Sequence, residues 1–134
     1  MKGIPLEHNI ALTFIKGGKS KFTFKNTKTE NRFTFKVKKS KDSELYFVSV
    51  LTNPDVYQYI GTIRGDVFSH GKKSKISQDA TSVKVFKYVF TKLVAGNLES
   101  FIEVWHEGSC GRCGRTLTDP ESIKTGFGPF CRNM

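Results

Sequence analysis

Lys21-Phe22-Thr23-Phe24-Lys25-Asn26 and, after a polar connection, Arg32-Phe33-Thr34-Phe35-Lys36-Val37-Lys38 alternate polar with apolar residues at nearly every step. In the first run Phe22 and Phe24 fall on one side, with Lys21, Thr23 and Lys25 on the other. In the second, Phe33, Phe35 and Val37 oppose Arg32, Thr34, Lys36 and Lys38. Period-two alternation of aromatic and β-branched residues marks a strand with one buried face. A helix would scatter these phenylalanines around its circumference. The connection from Asn26 to Asn31 suits a hairpin.

Working outward, Ser40 to Ser43 reads as a turn. Leu45 to Leu51 is apolar on both faces and predicts a central strand. Asn53-Pro54-Asp55 is turn chemistry, and Val56 to Ile63 predicts a fourth strand, with Gly61 weakening or bulging its middle. Arg64 to Gln78 reads as a polar loop rich in Lys72, Lys73 and Lys75. Beyond it Val83, Phe86, Val89, Phe90, Leu93 and Val94 recur at helical spacing, with Lys84, Lys87, Thr91 and Lys92 on the other side. Asp79 or Ser82 is the expected cap of this helix and Gly96-Asn97 its stop. Such an amphipathic helix covers the greasy side of a sheet. Phe101 to Trp105 predicts a last strand. Ile10 to Ile15 fits a short strand and a helical turn equally, and Met1 to Glu7 reads as a loosely held start.

The expected architecture is α+β. Residues 1–104 form a mainly antiparallel sheet of four to five strands with one packed amphipathic helix, and residues 105–134 form a metal-stapled segment against it. No apolar run approaches the roughly 20 residues of a membrane span, so no membrane partner is expected. The 134 residues carry 22 Lys and Arg against 12 Asp and Glu, a formal charge of +10. That excess favours polyanionic partners, nucleic acid first, with acidic proteins behind. Free cysteines and the lack of an export signal at Met1-Lys2-Gly3 point to a reducing cytoplasm.

All three cysteines lie near the C-terminus, in the spacing His106-x3-Cys110-x2-Cys113-x17-Cys131. Four soft or borderline donors in one short segment suit tetrahedral Zn²⁺, and the expected role is structural. A Cys-x-x-Cys redox pair is the alternative, though it expects a βαβ context that is missing around Cys110, and three unrelated thiols is another. His106 is the least specific member, because a lone histidine is more often a satisfied structural residue.

Trp105-His106-Glu107-Gly108, Cys110-Gly111-Arg112-Cys113-Gly114-Arg115, Leu117 to Ile123 and Gly126-Phe127-Gly128-Pro129-Phe130-Cys131 together resemble a zinc-knuckle domain of unknown function. That domain occurs at the C-terminus of many phage and mobile-element proteins. The Phe-Thr-Phe hairpin, Tyr59-Ile60-Gly61-Thr62 and Lys73-Ser74-Lys75-Ile76 resemble the fuller architecture of the same group. The resemblance implies a phage or prophage source and a cysteine/histidine zinc site, and it assigns no activity. Asp119-Pro120-Glu121-Ser122 reads as a helix start, which would make the site treble-clef-like by analogy of fold.

Function is expected on the hairpin. Lys21, Lys25, Arg32, Lys36 and Lys38 form a cationic ladder with Thr23 and Thr34, interrupted only by Glu30 in the turn. Lys72, Lys73 and Lys75 of the loop and Arg112 and Arg115 of the knuckle are further phosphate contacts. The alternative for the ladder is a solvated face on which lysines discourage edge association. Tyr57 and Tyr59 are the aromatic residues suited to stacking bases. The leading expectation is a small phage-encoded, basic zinc protein that binds nucleic acid as an accessory factor. The rival is a phage protein that binds and modulates a host enzyme or defence complex. No enzyme is expected: there is no glycine-rich phosphate loop or Gly-x-Ser-x-Gly elbow, and no small-molecule substrate is evident. Glu107 directly after His106 fails the deaminase pattern, and four protein ligands would leave no open metal position.

Overall fold

The computed structural model describes residues 3–132. The hairpin forms as β1 (Lys19–Asn26) and β2 (Arg32–Lys39). Its register follows the alternation: Phe22 stands opposite Phe35 and Phe24 opposite Phe33, with Lys21 across from Lys36 and Thr23 across from Thr34. β3 (Leu45–Asn53) and β4 (Val56–Arg64) continue an antiparallel meander. The irregularity expected at Gly61 is present as a register shift between Val48 and Ser49, because Gly61 pairs with Val48 but Tyr59, not Ile60, pairs with Ser49.

The loop expected from Arg64 to Gln78 contains a further strand, β5 (Val67–His70), paired with the end of β4. The chain then crosses through α2 (Thr81–Ala95) and returns as β6 (Ile102–His106) beside β1. The sheet therefore has six strands, in the order β5-β4-β3-β2-β1-β6, and every pairing is antiparallel.

One face of this sheet is the core. Phe22, Phe24, Phe35, Val37, Val48, Val50, Ile60, Ile63 and Val104 are buried there against Val83, Phe86, Val89, Phe90 and Leu93 of α2. Phe86 is the hub, with its ring 5.0 Å from Phe35, 5.8 Å from Phe24, 4.9 Å from Phe68 and 5.8 Å from Phe90. Neither Asp79 nor Ser82 caps α2. The N-cap is Ala80, which makes no side-chain cap, and Gly96 in the left-handed region closes the other end as expected.

Ile10 to Ile15 resolves as helix, α1 (His8–Ile15), because Ala11, Phe14 and Ile15 lie on one face and are buried together. The start is not loose where it is described: Leu6 is buried and its N–H donates to the Val104 carbonyl at 2.7 Å. Met1 and Lys2 of the expected loose start lie outside the described residues. Two short helices follow β6, α3 (Pro120–Thr125) and α4 (Pro129–Arg132). Among the described residues no helix is long and apolar enough to cross a membrane.

Candidate metal centre and basic sheet face

Strand β6 ends at His106 and the chain reverses at once. Leu117 N–H donates to the Gly108 carbonyl at 2.8 Å, Cys110 N–H to Arg115 at 2.8 Å and Gly114 N–H to Cys110 at 2.9 Å. This tight turn holds Cys110 and Cys113 together. Asp119 then caps α3, accepting from the Ser122 N–H at 3.0 Å and the Ser122 hydroxyl at 2.6 Å. Those bonds hold its carboxyl below the ordinary range. Pro120 at the first turn completes the helix start read from the sequence. Gly126 ends α3, and its carbonyl accepts from Gly111 N–H at 2.9 Å, so α4 brings Cys131 back over the knuckle.

The sulfurs of Cys110, Cys113 and Cys131 lie within 4.8 Å of one another. Ligands of one tetrahedral zinc ion sit about 3.8 Å apart, from Zn–S bonds of about 2.3 Å, so the triad is close to a ligand shell. Its surroundings move Cys110 and Cys131 in opposite directions. Burial raises the Cys110 pKa, but backbone hydrogen bonds from Cys113, Gly128 and Arg112 outweigh burial and bring the thiol down to about 7. Cys131 is pushed up to about 11 by burial and by the neighbouring Cys110 and Cys113. Three sulfurs this close repel one another as thiolates, and a bound cation would offset that repulsion. The donor set fits a metal ion.

His106, expected as the fourth donor, is not in this cluster. It is 0% exposed, its Nδ1 accepts from the Gly108 N–H at 2.9 Å, and its Nε2 faces the Ile123 carbonyl. One neutral tautomer, protonated at Nε2, satisfies both contacts. Burial lowers its pKa and so favours that form. The physical reason for the departure is parity: His106 pairs opposite Phe22, on the core face with Ile102 and Val104, and its ring packs 6.0 Å from Phe14. With His106 outside the shell, the argument that four protein ligands close the metal site no longer applies.

The knuckle docks on the body through close backbone approach. A Cβ on Gly111 would lie 2.7 Å from the Phe14 ring, and one on Gly17 would lie 2.5 Å from the Gly111 carbonyl. Lys19 N–H donates to that same carbonyl at 2.9 Å. Phe127 closes on Phe14 from the far side at 5.7 Å.

The cationic ladder lies on the sheet face opposite the core. Lys19 stands across from Lys38, Lys21 from Lys36 and Lys25 from Arg32. Lys21 and Lys36 both reach over the Tyr57 ring, at 5.8 and 4.9 Å. Burial and the negative charge of Glu107 raise the Tyr57 pKa, so its hydroxyl stays protonated at neutral pH. Lys72 and Lys73 reach this side from the loop after β5 and line a cleft with Phe47 and Tyr59, while Lys75 is exposed further along that loop.

Arg112 and Arg115 are exposed on the knuckle, and Arg112 belongs to a different cavity of about 620 Å³ with Lys16, Arg132 and Cys131. Arg112 thus lines a cavity other than that of Lys72 and Lys73. The structure also adds acids that the linear reading missed, since Glu103 stands opposite Lys25 and Glu107 accepts from the Thr23 hydroxyl at 2.9 Å. Phe47 and Lys19 were missed as members of this face. Lys19 continues the alternation with Ser20 by one step, which was the available signal; Phe47 had none, because β3 is apolar on both faces.

A model of a family of unknown function (DUF6011) matches residues 105–133. The match covers the end of β6, the cysteine triad, α3 and α4, and does not reach the hairpin or the Tyr59 strand, for which a wider likeness was expected. No curated protein and no solved structure matches the chain.

Proposed function

We propose that this chain is a small nucleic-acid-binding protein, without enzymatic activity, whose outer sheet face carries the polyanion. In this reading a structural Zn²⁺ on Cys110, Cys113 and Cys131 fastens a treble-clef-like C-terminus. The observation that supports it is the register of β1 and β2. Lys19/Lys38 and Lys21/Lys36 are like-charged pairs placed directly opposite one another on the face turned from α2, while Lys25, across from Arg32, is offset by Glu30 at 3.5 Å and by Glu103 on β6. Like charges across a ladder destabilise a sheet, and lysines kept only for solubility gain nothing from facing each other. A bound phosphate backbone turns the same arrangement into a favourable one. Glu107 accepts from the Thr23 hydroxyl on the outer face and is not one of the clustered metal-binding candidates, which favours a clip over a hydrolytic centre.

The test is fluorescence anisotropy with labelled oligonucleotides. Binding should weaken steeply from low to moderate salt, with a slope in log K against log salt of roughly −0.7 to −0.9 per neutralised phosphate. Lys36→Glu with Lys38→Glu should flatten that slope and reduce affinity at least tenfold. Absence of binding in low-salt buffer, or equal binding by the double variant, overturns the reading. A protein captured from nuclease-treated lysate in place of nucleic acid would support the rival role as a modulator of another protein.

A further inference from the structure

The outer face carries more than charge. Phe47 is 41% exposed, unusually for a strand phenylalanine in a protein with an intact aromatic core. Its ring lies 6.3 Å from that of Tyr59. The two meet because of the irregularity in β4: Phe47 pairs with Thr62 and Ser49 with Tyr59, so the extra residue at Ile60 and Gly61 leaves both Tyr59 and Thr62 on the outer face. An uninterrupted ladder would turn one of them toward the core. Single exposed apolar residues need no explanation, but this pair opens into a cleft of about 380 Å³ whose other walls are Lys72 and Lys73.

The loop that carries those lysines is built onto Tyr59. The Ser74 hydroxyl donates to the Tyr59 carbonyl at 2.8 Å, and Gly71 N–H donates to Ile60 at 3.0 Å. His70 Nε2 meets the Ile76 carbonyl at 2.7 Å on the far side of the loop. Gly71 lies so close to the Tyr59 ring that a Cβ there would stand 2.5 Å from it. The backbone that carries Lys72 and Lys73 is thus held beside the rings before any ligand arrives, which lowers the ordering cost of binding.

Resting on the reading that this face binds nucleic acid, we infer that Phe47, Tyr59, Lys72 and Lys73 form a base-stacking subsite for single-stranded nucleic acid. The rings take an unpaired base and the two lysines take the phosphates beside it. A duplex keeps its bases stacked on each other and offers a sheet surface only its backbone, whereas a single strand can lay bases on aromatic rings and phosphates on lysines together. The cleft continues the Lys21, Lys36 and Tyr57 cluster through β3, so one strand can engage both.

The experiment compares a labelled single strand with the same sequence annealed as a duplex, using the full-length, metal-loaded protein. The single strand should bind at least tenfold more tightly. Phe47→Ala and Tyr59→Ala should each weaken single-strand binding by about 5- to 100-fold, the range for loss of one stacked base, and leave duplex binding within twofold. Their salt slopes should match that of the parent, since no charge is removed, while Lys72→Ala with Lys73→Ala should reduce the slope. Phe47→Trp should restore affinity, which separates stacking from a folding defect. Equal binding of both forms, or single-strand affinity unchanged in the ring variants, overturns the subsite. In that case loss of binding in Lys36→Glu with Lys38→Glu would still leave the broader reading standing. Absence of any binding at low salt overturns both.

Discussion

His106→Ala distinguishes a core histidine from a metal ligand by where its cost falls. In the structure the imidazole is fully buried, accepts from the Gly108 N–H and meets the Ile123 carbonyl. Truncation strands both backbone groups, at about 1–3 kcal/mol for each buried group left unpaired. It also leaves a void beside Phe14 that adds to the cost. The expected loss is about 3–5 kcal/mol, a large part of the stability of a small domain. It is read from urea unfolding at low temperature, where the variant stays folded. Metal content should remain one ion per chain, and the thiolate-to-metal absorption of the Co²⁺-loaded protein should match the parent. The milder His106→Gln gives a second reading through pH. Burial depresses the His106 pKa in the fold, so its stabilising contribution is complete above the unfolded value of about 6.5 and is lost as pH falls through the folded value. The parent should therefore lose stability faster than His106→Gln below about pH 6.5, with acid effects on the cysteines common to both. A variant that keeps its stability but binds metal a hundredfold more weakly, or shows a changed Co²⁺ spectrum, would refute this reasoning and return His106 to the metal shell.

Chelation, or Cys113→Ser, should lower the melting temperature of the whole domain, because the knuckle shares Phe14 with the core. Metal at 100 times its dissociation constant contributes about 2.7 kcal/mol, and an unchanged melting curve after complete metal removal would contradict the staple. Lys38→Glu should raise stability by about 0.2–1 kcal/mol by turning the Lys19/Lys38 opposition into an attractive pair, while lowering oligonucleotide affinity. If denaturant unfolding shows Lys38→Glu less stable than the parent, opposed lysines are not a cost and the argument from register fails.

What the linear sequence disclosed depended on whether local pattern or distant pairing decided each element. The hairpin was legible because lysine and threonine alternate with phenylalanine, and a one-residue slip would bury charge. α2 was legible because Val83, Phe86, Val89, Phe90 and Leu93 recur at helical spacing and are buried together. The segment before Gly17 was ambiguous because Ile10 and Leu12 are partly buried beside the Ala11, Phe14 and Ile15 face, which blurs the period. β5 was hidden because only Phe68 of its residues is buried and its order comes from pairing with β4, not from its own sequence. The cap of α2 was misread because a capping residue type was available at Asp79, but the helix begins one residue after Ala80.

The candidate site divides along the same line. Cys-x-x-Cys with a third cysteine reads as a cluster because its geometry is mostly local, set by turns from Gly108 to Gly114 and by α3. His106 could have been placed by extending β6 one residue: Ile102, Val104 and His106 share parity, and the first two are plainly core. Continued once more, the alternation sends Glu107 to the other side, where it meets Thr23. Two adjacent residues therefore part at the end of β6, one holding the knuckle to the core and one joining the charged face. In the proposed reading the cysteine cluster acts as a staple and the lysines of the outer face carry the binding, although the two meet at Lys19, whose N–H donates to the Gly111 carbonyl. Loss of metal should then act on binding only through folding, and loss of a lysine pair should act on binding without touching the metal.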